Sequence, residues 1–276
     1  MTGYPATPLL RGVLSVALLG LALDFGGPLL ECRPGGRLAG QAILNVERLQ
    51  PGDVEGWHWG VEGALSVSRG NTKYEDLLAG VVLGHRWGDD WLRGFAGLDY
   101  RNERGKDLER DRYLHLRHNH WLTERWQSFH FIQLQTSERN LLQRRVLLGS
   151  GLRARVFGGR TTFDLGTGAM YEMEDLDSGR ITGPHPVESR LWRMANLVVA
   201  TRELTESVRL VGVSYIQPAF SDFGDLRTLT DLSLLISLTD QLELVIRSEW
   251  RHDRRPPEKV DSEDFLLRTG FTFSFR

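Results

Sequence analysis

From Trp57 to the C-terminus, apolar and polar residues alternate with a period of two in one segment after another. This is the pattern of strands whose two faces meet different surroundings. The first segment sets Trp57, Trp59, Val61, Leu65 and Val67 against His58, Gly60, Glu62, Ser66 and Ser68, and a Gly70-Asn71 turn follows. The return segment sets Leu77, Ala79, Val81, Leu83 and Trp87 against Asp76, Gly80, Gly84 and Arg86, where glycine makes room on the polar face. Leu92, Ala96, Leu98 and Tyr100 then face away from Arg93, Asp99 and Arg101, and Leu114, Leu116 and Leu122 away from Tyr113, His115, Arg117 and Asn119. Further strands are predicted from Trp126 to Glu138 and from Arg144 to Phe157, the second with Arg145, Arg153 and Arg155 on one face. Asp164, Glu172 and Glu174 oppose Phe163, Leu165, Ala169, Tyr171 and Met173. Ser189 to Thr201 and Glu206 to Gln217 alternate less cleanly, and the pattern assigns them no inward face. Three clear segments end the chain: one with Asp231, Ser233, Ser237 and Thr239 as its polar face, one with Glu243, Arg247, Glu249 and Arg251, and one in which Phe265, Leu267, Phe271, Phe273 and Phe275 oppose Asp264, Arg268, Gly270 and Ser274.

The connections choose an architecture. Short turns are predicted near Gly88 to Asp90, Thr123 to Arg125, Gly158 to Arg160, Arg202 to Thr205 and Thr239 to Gln241. The intervening connections read as longer and more charged: Asn102 to Arg110, Ser137 to Gln143, Asp175 to Glu188, Pro218 to Asp225 and His252 to Asp261. Alternating short and long connections are the mark of an up-and-down transmembrane barrel with an even strand number and both termini on the periplasmic side. The expected fold is therefore an all-β antiparallel barrel of about twelve strands. A soluble sandwich or solute-binding barrel also alternates, but it turns its apolar face inward. Segments long enough to cross a bilayer at a tilt, and Trp57, Trp87, Trp91, Trp121, Trp126 and Trp250 gathered near segment ends, favour the membrane barrel. The terminal aromatic strand is the pattern by which barrel-assembly machinery takes up its clients, so that machinery and outer-membrane lipid are the expected partners, with small solutes as candidate cargo.

Composition changes the picture only at the N-terminus. A charged fraction of 25% and a hydrophobic fraction of 41% resemble those of a soluble protein, because alternation cancels in any average. The formal net charge of -2 gives no reason to expect a nucleic-acid partner. The apolar run from Gly12 to Leu23 falls short of the roughly 20 residues of a spanning helix and, with Arg11 before it, reads as the core of an export signal. Residues 1–36 are the expected export segment, 37–56 a periplasmic stretch and 57–276 the barrel. The single cysteine, Cys32, excludes an intrachain disulfide; a lipoprotein anchor there is disfavoured by Glu31 before it.

The segments Ser68-Arg-Gly-Asn-Thr72, Leu238-Thr-Asp-Gln-Leu-Glu-Leu244 and Pro256-Pro-Glu-Lys-Val-Asp-Ser262, in that order before an aromatic terminus, resemble the YdiY-like family. That resemblance covers about Trp57 to Arg276 and implies a salt-stress-induced outer-membrane protein with no established molecular activity. It supplies no catalytic residue. Arg276 after the last phenylalanine departs from the usual aromatic end of such barrels.

Candidate chemistry is sparse. His118 and His120 share a strand face and could clamp a transition metal, although that face is apolar and suits interfacial histidines better. For a lipid or peptide hydrolase in the wall, Ser128 as nucleophile and His130 as base on one strand face are the least implausible pair, and no sequence signature ties them together. No cofactor motif is present. The remaining constellation is the inward face itself: Glu62, Asp99, Arg101, Arg117, Arg153, Arg155, Asp164, Glu172, Asp231, Glu243, Arg247, Glu249 and Arg268. Charges enclosed in a barrel must pair or stay wet, which predicts either an interlocked ion-pair core or a narrow pore lined by both signs. The expected protein is non-enzymatic, a structural envelope barrel or a small-solute pore. A barrel enzyme and a soluble periplasmic binding barrel are the alternatives.

Overall fold

A computed structural model describes residues 55–68, 74–103, 106–138, 140–181, 184–257 and 260–275. The expected export segment, Cys32, the Gly70-Asn71 turn and nearly all of residues 37–56 lie outside them. The strands are β1 (Gly56–Ser68), β2 (Tyr74–Trp87), β3 (Asp90–Glu103), β4 (Lys106–Trp121), β5 (Trp126–Ser137), β6 (Leu142–Phe157), β7 (Thr161–Leu176), β8 (Glu188–Met194), β9 (Asn196–Glu203), β10 (Val208–Ala219), β11 (Asp222–Ser237), β12 (Leu242–Asp253) and β13 (Glu263–Phe275). Apart from β8 and β9, consecutive strands pair antiparallel, and β13 closes the ring on β1 from Trp59↔Phe275 to Gly63↔Phe271. β8 and β9 are two halves of one wall strand, both lying between β7 and β10 and interrupted at Ala195. The result is a closed twelve-strand antiparallel barrel without helices among the described residues.

The barrel is inverted relative to a soluble sheet protein. Trp57, Val61, Leu65, Val81, Leu148 and Leu267 stand exposed on the outer wall, while Glu172, Arg193 and Asp231 are buried inside. An apolar wall facing outward around a charged interior is stable when the surroundings are hydrocarbon. β8 to β10, which the pattern leaves unassigned, resolve for a physical reason. On β9 and β10 the inward face carries Leu197, Val199, Val211, Val213 and Tyr215, so both faces are largely apolar and the polar contrast disappears, while the short β8 carries polar residues on both faces.

Two expected long connections are largely strand. β3 runs to Glu103 and β4 begins at Lys106, and only two residues separate Ala219 of β10 from Asp222 of β11. Neither stretch alternates apolar with polar residues, so hydropathy alone reads both as loop.

At the opposite end, called the turn end here, one local device recurs. Leu122-Thr123-Glu124-Arg125, Leu204-Thr205-Glu206-Ser207 and Leu238-Thr239-Asp240-Gln241 make the same turn. The leucine N–H donates back to Trp126, Val208 and Leu242 carbonyls at 2.9, 2.9 and 2.8 Å. The threonine hydroxyl accepts from the backbone beyond it, at 3.0 Å from Trp126, 3.2 Å from Ser207 and 3.0 Å from Leu242. A threonine that satisfies turn amides fixes the reversal and leaves the following acid at the tip.

Candidate functional site

The candidate site is the barrel interior, built in layers. In the wall formed by β5 to β7, inward glycines serve as sockets. A Cβ on Gly149 would lie 2.3 Å from the Phe131 ring, and one on Gly151 would lie 2.5 Å from Phe129, each ring belonging to the residue paired directly across the strands. The space that glycine opens is thus filled by aromatic rings and not by water. Phe129, Phe131, Leu147, Met170, Val199, Val213 and Tyr215 form a continuous buried cluster. Arg117 lies with its guanidinium 5.2 Å from the Phe129 ring and 5.7 Å from that of Phe131. Its Nη1 reaches the Tyr215 hydroxyl at 3.5 Å, and both residues are 1% exposed. Arg117 belongs to β4 and Tyr215 to β10, which lie nearly opposite in the strand order, so this contact crosses the lumen.

Ion pairs fill the other end. Arg145 donates from Nε to Glu174 at 2.8 Å. Arg227 bridges Glu172 at 2.6 Å, Glu174 at 3.2 Å and Asp253 at 2.9 Å. Arg193 joins Glu172 at 3.1 Å to Asp225 at 2.9 Å. Across the first and last strands, Arg268 binds Asp99 at 2.9 Å and Asp76 at 3.3 Å, and Arg101 binds Asp76 at 3.0 Å. On β11 and β12, Arg247 pairs with Asp231 and Glu249, and Arg251 with Glu249, while Ser233 donates to Asp231 at 2.7 Å. Nearer the turn end, Arg153 pairs with Asp164, which also accepts from Arg155 Nε at 3.0 Å. Buried carboxylates each met by one or more guanidiniums are what a low-dielectric interior requires of ionised groups.

The sequence-predicted inward residues fall into these groups. Asp99, Arg101 and Arg268 form one; Asp231, Arg247 and Glu249 a second; Arg153, Arg155 and Asp164 a third. Glu172 anchors the largest, Arg117 crosses the middle, and buried Glu62 borders a small void with Arg247 and Arg268. Glu243 stands apart, 3.7 Å from Arg209 at the turn end. Asp76, Arg145, Glu174 and Arg251 stand on the polar faces read from the sequence but outside the selected set, and the sequence reading singles out none of Arg193, Arg227 and Asp253. Most continue the same alternation to the strand ends, so the period carried the signal. Arg193 sits on a wall strand where the period gives none.

The turn-end interior opens into a cavity of about 470 Å³. Buried His58, Arg93, Leu235 and Thr272 line it together with half-buried Arg209 and exposed Ser237, Glu203, Glu206 and Asp240. Arg93 is held in place: its Nη2 donates to Asn119 at 2.8 Å, Asn119 donates to Gln127 at 3.0 Å, and its guanidinium lies 3.9 Å from the Trp91 ring centroid.

On the outer wall, Asp90 accepts from His118 Nε2 at 2.8 Å and His120 Nδ1 at 3.0 Å. Among the described residues, no three His, Cys, Asp or Glu side chains are arranged to hold a metal ion. His130 meets Ser150 on the neighbouring strand at 2.9 Å, not Ser128 on its own. Adjacent residues on a strand face are farther apart than directly paired residues on neighbouring strands. The carboxylate of Asp90 is held by His118, which stacks on His130 at 6.0 Å, so the orienting acid of a triad is displaced by one ring from the base.

Comparison with known proteins adds the following. An outer membrane channel from Pseudomonas putida F1 superposes with a TM-score of 0.51 at 14% identity, over 82% of this chain and 99% of that one. The translocator domain of autotransporter NalP from Neisseria meningitidis gives 0.46 at 10% identity over 83% and 92%, and the NanC porin 0.45 at 11% over 79% and 97%. The first of these shows the shared outer-membrane barrel fold. Among curated proteins, none matches the sequence significantly. The family model described as "Protein of unknown function, DUF481" matches residues 61–275, and the chain belongs to that family.

Proposed function

We propose that this protein is a structural barrel of the outer membrane whose lumen is closed by its own side chains. The observation that carries this reading is the buried Arg117–Tyr215 contact across the lumen, backed by the Phe129 and Phe131 rings. A conducting path needs hydrated side chains along its length, and this layer excludes them. The ion-pair lattice beyond it locks neighbouring strands together, which suits a role in envelope integrity. The Pseudomonas putida relative in fold is described as a channel, so conductance is the discriminating measurement. The full-length protein, recovered from outer membranes and shown to shift on a gel when boiled, should be silent in planar bilayers. Arg117→Ala combined with Tyr215→Ala should produce discrete steps. Wild-type steps of constant size across preparations would overturn the closed-lumen proposal in favour of a narrow small-solute pore. Induction by salt, which the resemblance to YdiY-like proteins supports, is tested by the protein's level after transfer to high-salt medium.

A further inference from the structure

We propose that the barrel forms a two-fold dimer in the membrane through the outer wall of β6 to β11, with Asn196 of one copy meeting Asn196 of the other. The proposal rests on this wall facing lipid and not on closure of the lumen, which conductance tests separately. Each wall strand crosses the bilayer, so its middle lies farthest from water. On β1 to β5 the outward residues nearest the middle are Val61, Val81, Leu98, Leu114 and Ile132, all exposed and all suited to hydrocarbon. From β6 to β11, with β8 and β9 taken as one wall strand, they are Ser150, Thr167, Asn196, Ser214 and Thr230. The wall is also low here: β7 and β9 present no exposed large apolar side chain among the described residues, whereas β1 presents Trp57, Trp59, Val61 and Leu65.

Polar side chains at mid-bilayer have no water to bond. The hydroxyls of this row find partners inside the wall: Ser150 meets His130 at 2.9 Å, Thr167 donates to Asn196 Oδ1 at 2.7 Å, and Ser214 and Thr230 meet at 3.0 Å. Asn196 differs. Its carboxamide accepts from Thr167, but its two Nδ2 protons have no acceptor among the described residues, and hydrocarbon offers none. A carboxamide is its own complement, because the N–H of one and the oxygen of another bond reciprocally, and Oδ1 has a second lone pair for the purpose. Depth selects a second copy as the partner. Two copies share one orientation and one depth, so a two-fold axis along the membrane normal brings the polar row of one to the row of the other with no vertical shift. Lipid is as apolar as the wall, so such polar contacts and close approach are what associate membrane segments.

The test is disulfide crosslinking of the full-length chain in outer membranes, with Cys32→Ser removing the native thiol. Asn196→Cys should give a dimer band without reductant, and Val81→Cys, at the middle of β2 on the far side of the ring, should give none. In detergent, sedimentation should show a dimer for the wild type, and Asn196→Leu should weaken association about tenfold, the order expected of a polar contact between membrane segments. Gel mobility with and without boiling establishes that each variant is folded, and Thr167→Cys on the adjoining strand replaces Asn196→Cys should that variant fail to fold. A monomeric wild type, equal crosslinking on both sides of the ring, undiminished association of Asn196→Leu, or a crosslink to a different protein in place of a second copy would overturn the proposal.

Discussion

The two ends of the barrel interior are made by the same alternation and reach opposite outcomes. At the loop end the inward positions carry charged chains on neighbouring strands at matching heights, such as Arg145 directly across from Glu174 and Arg227 directly across from Asp253. Each carboxylate finds a guanidinium and the space closes. At the turn end the inward positions include Gly60, Gly84, Ser237, Thr272 and Ser274, too short to reach across, and a cavity remains. Side-chain reach, more than strand number, decides whether a twelve-strand barrel is filled.

Removing a partner from the closed half should have the largest effect. Arg227→Ala leaves Glu172, Glu174 and Asp253 short of their shared cation, and a loss of about 3–5 kcal/mol is expected, the cost of breaking a buried pair. Urea unfolding in detergent, followed by tryptophan fluorescence, measures it; a loss below about 1 kcal/mol would mean that water reaches this network. An intermediate effect is expected from the layer between the two halves. Gly149→Ala drives a methyl into the Phe131 ring and should cost about 1–3 kcal/mol. Most of that cost should vanish in a Phe131→Leu background, so additivity of the two substitutions would show that the socket is not tight. The smallest effect belongs to the open half. Thr239→Ala removes the hydroxyl that accepts from Gln241 and Leu242 and should cost only about 0.5–1.5 kcal/mol in the same assay.

Much of this was legible in the sequence because lipid on one side and charge on the other impose a period of two. Glu62, Asp99, Arg153, Glu172, Asp231 and Arg268 could be placed on one face from that period alone. What the period could not supply was partnership, since Arg268 and Asp76 are 192 residues apart and meet only through closure of the ring. Nor could it assign β9 and β10, where Leu197, Val199, Val211 and Val213 make the lumen face apolar. The same blindness gave His130 the wrong serine, because the choice between Ser128 and Ser150 depends on the register of β6 against β5. The threonine turns were visible as a repeated Leu-Thr-acid triplet, a signal of local chemistry that hydropathy does not weigh.

Arg268 reaches past β1 to Asp76 on β2 and Asp99 on β3, which ties the last strand made to the β2–β3 hairpin near the start of the barrel. Until β13 arrives, that hairpin holds two carboxylates without this cation, and β13 carries a guanidinium without these acids. Assembly therefore has a built-in completion signal: zipping the seam between the chain's two ends also neutralises charge that would otherwise be stranded beside lipid. A barrel that inserts with its seam ajar is penalised electrostatically as well as by its open backbone edges, and that penalty falls away in the step that finishes the wall.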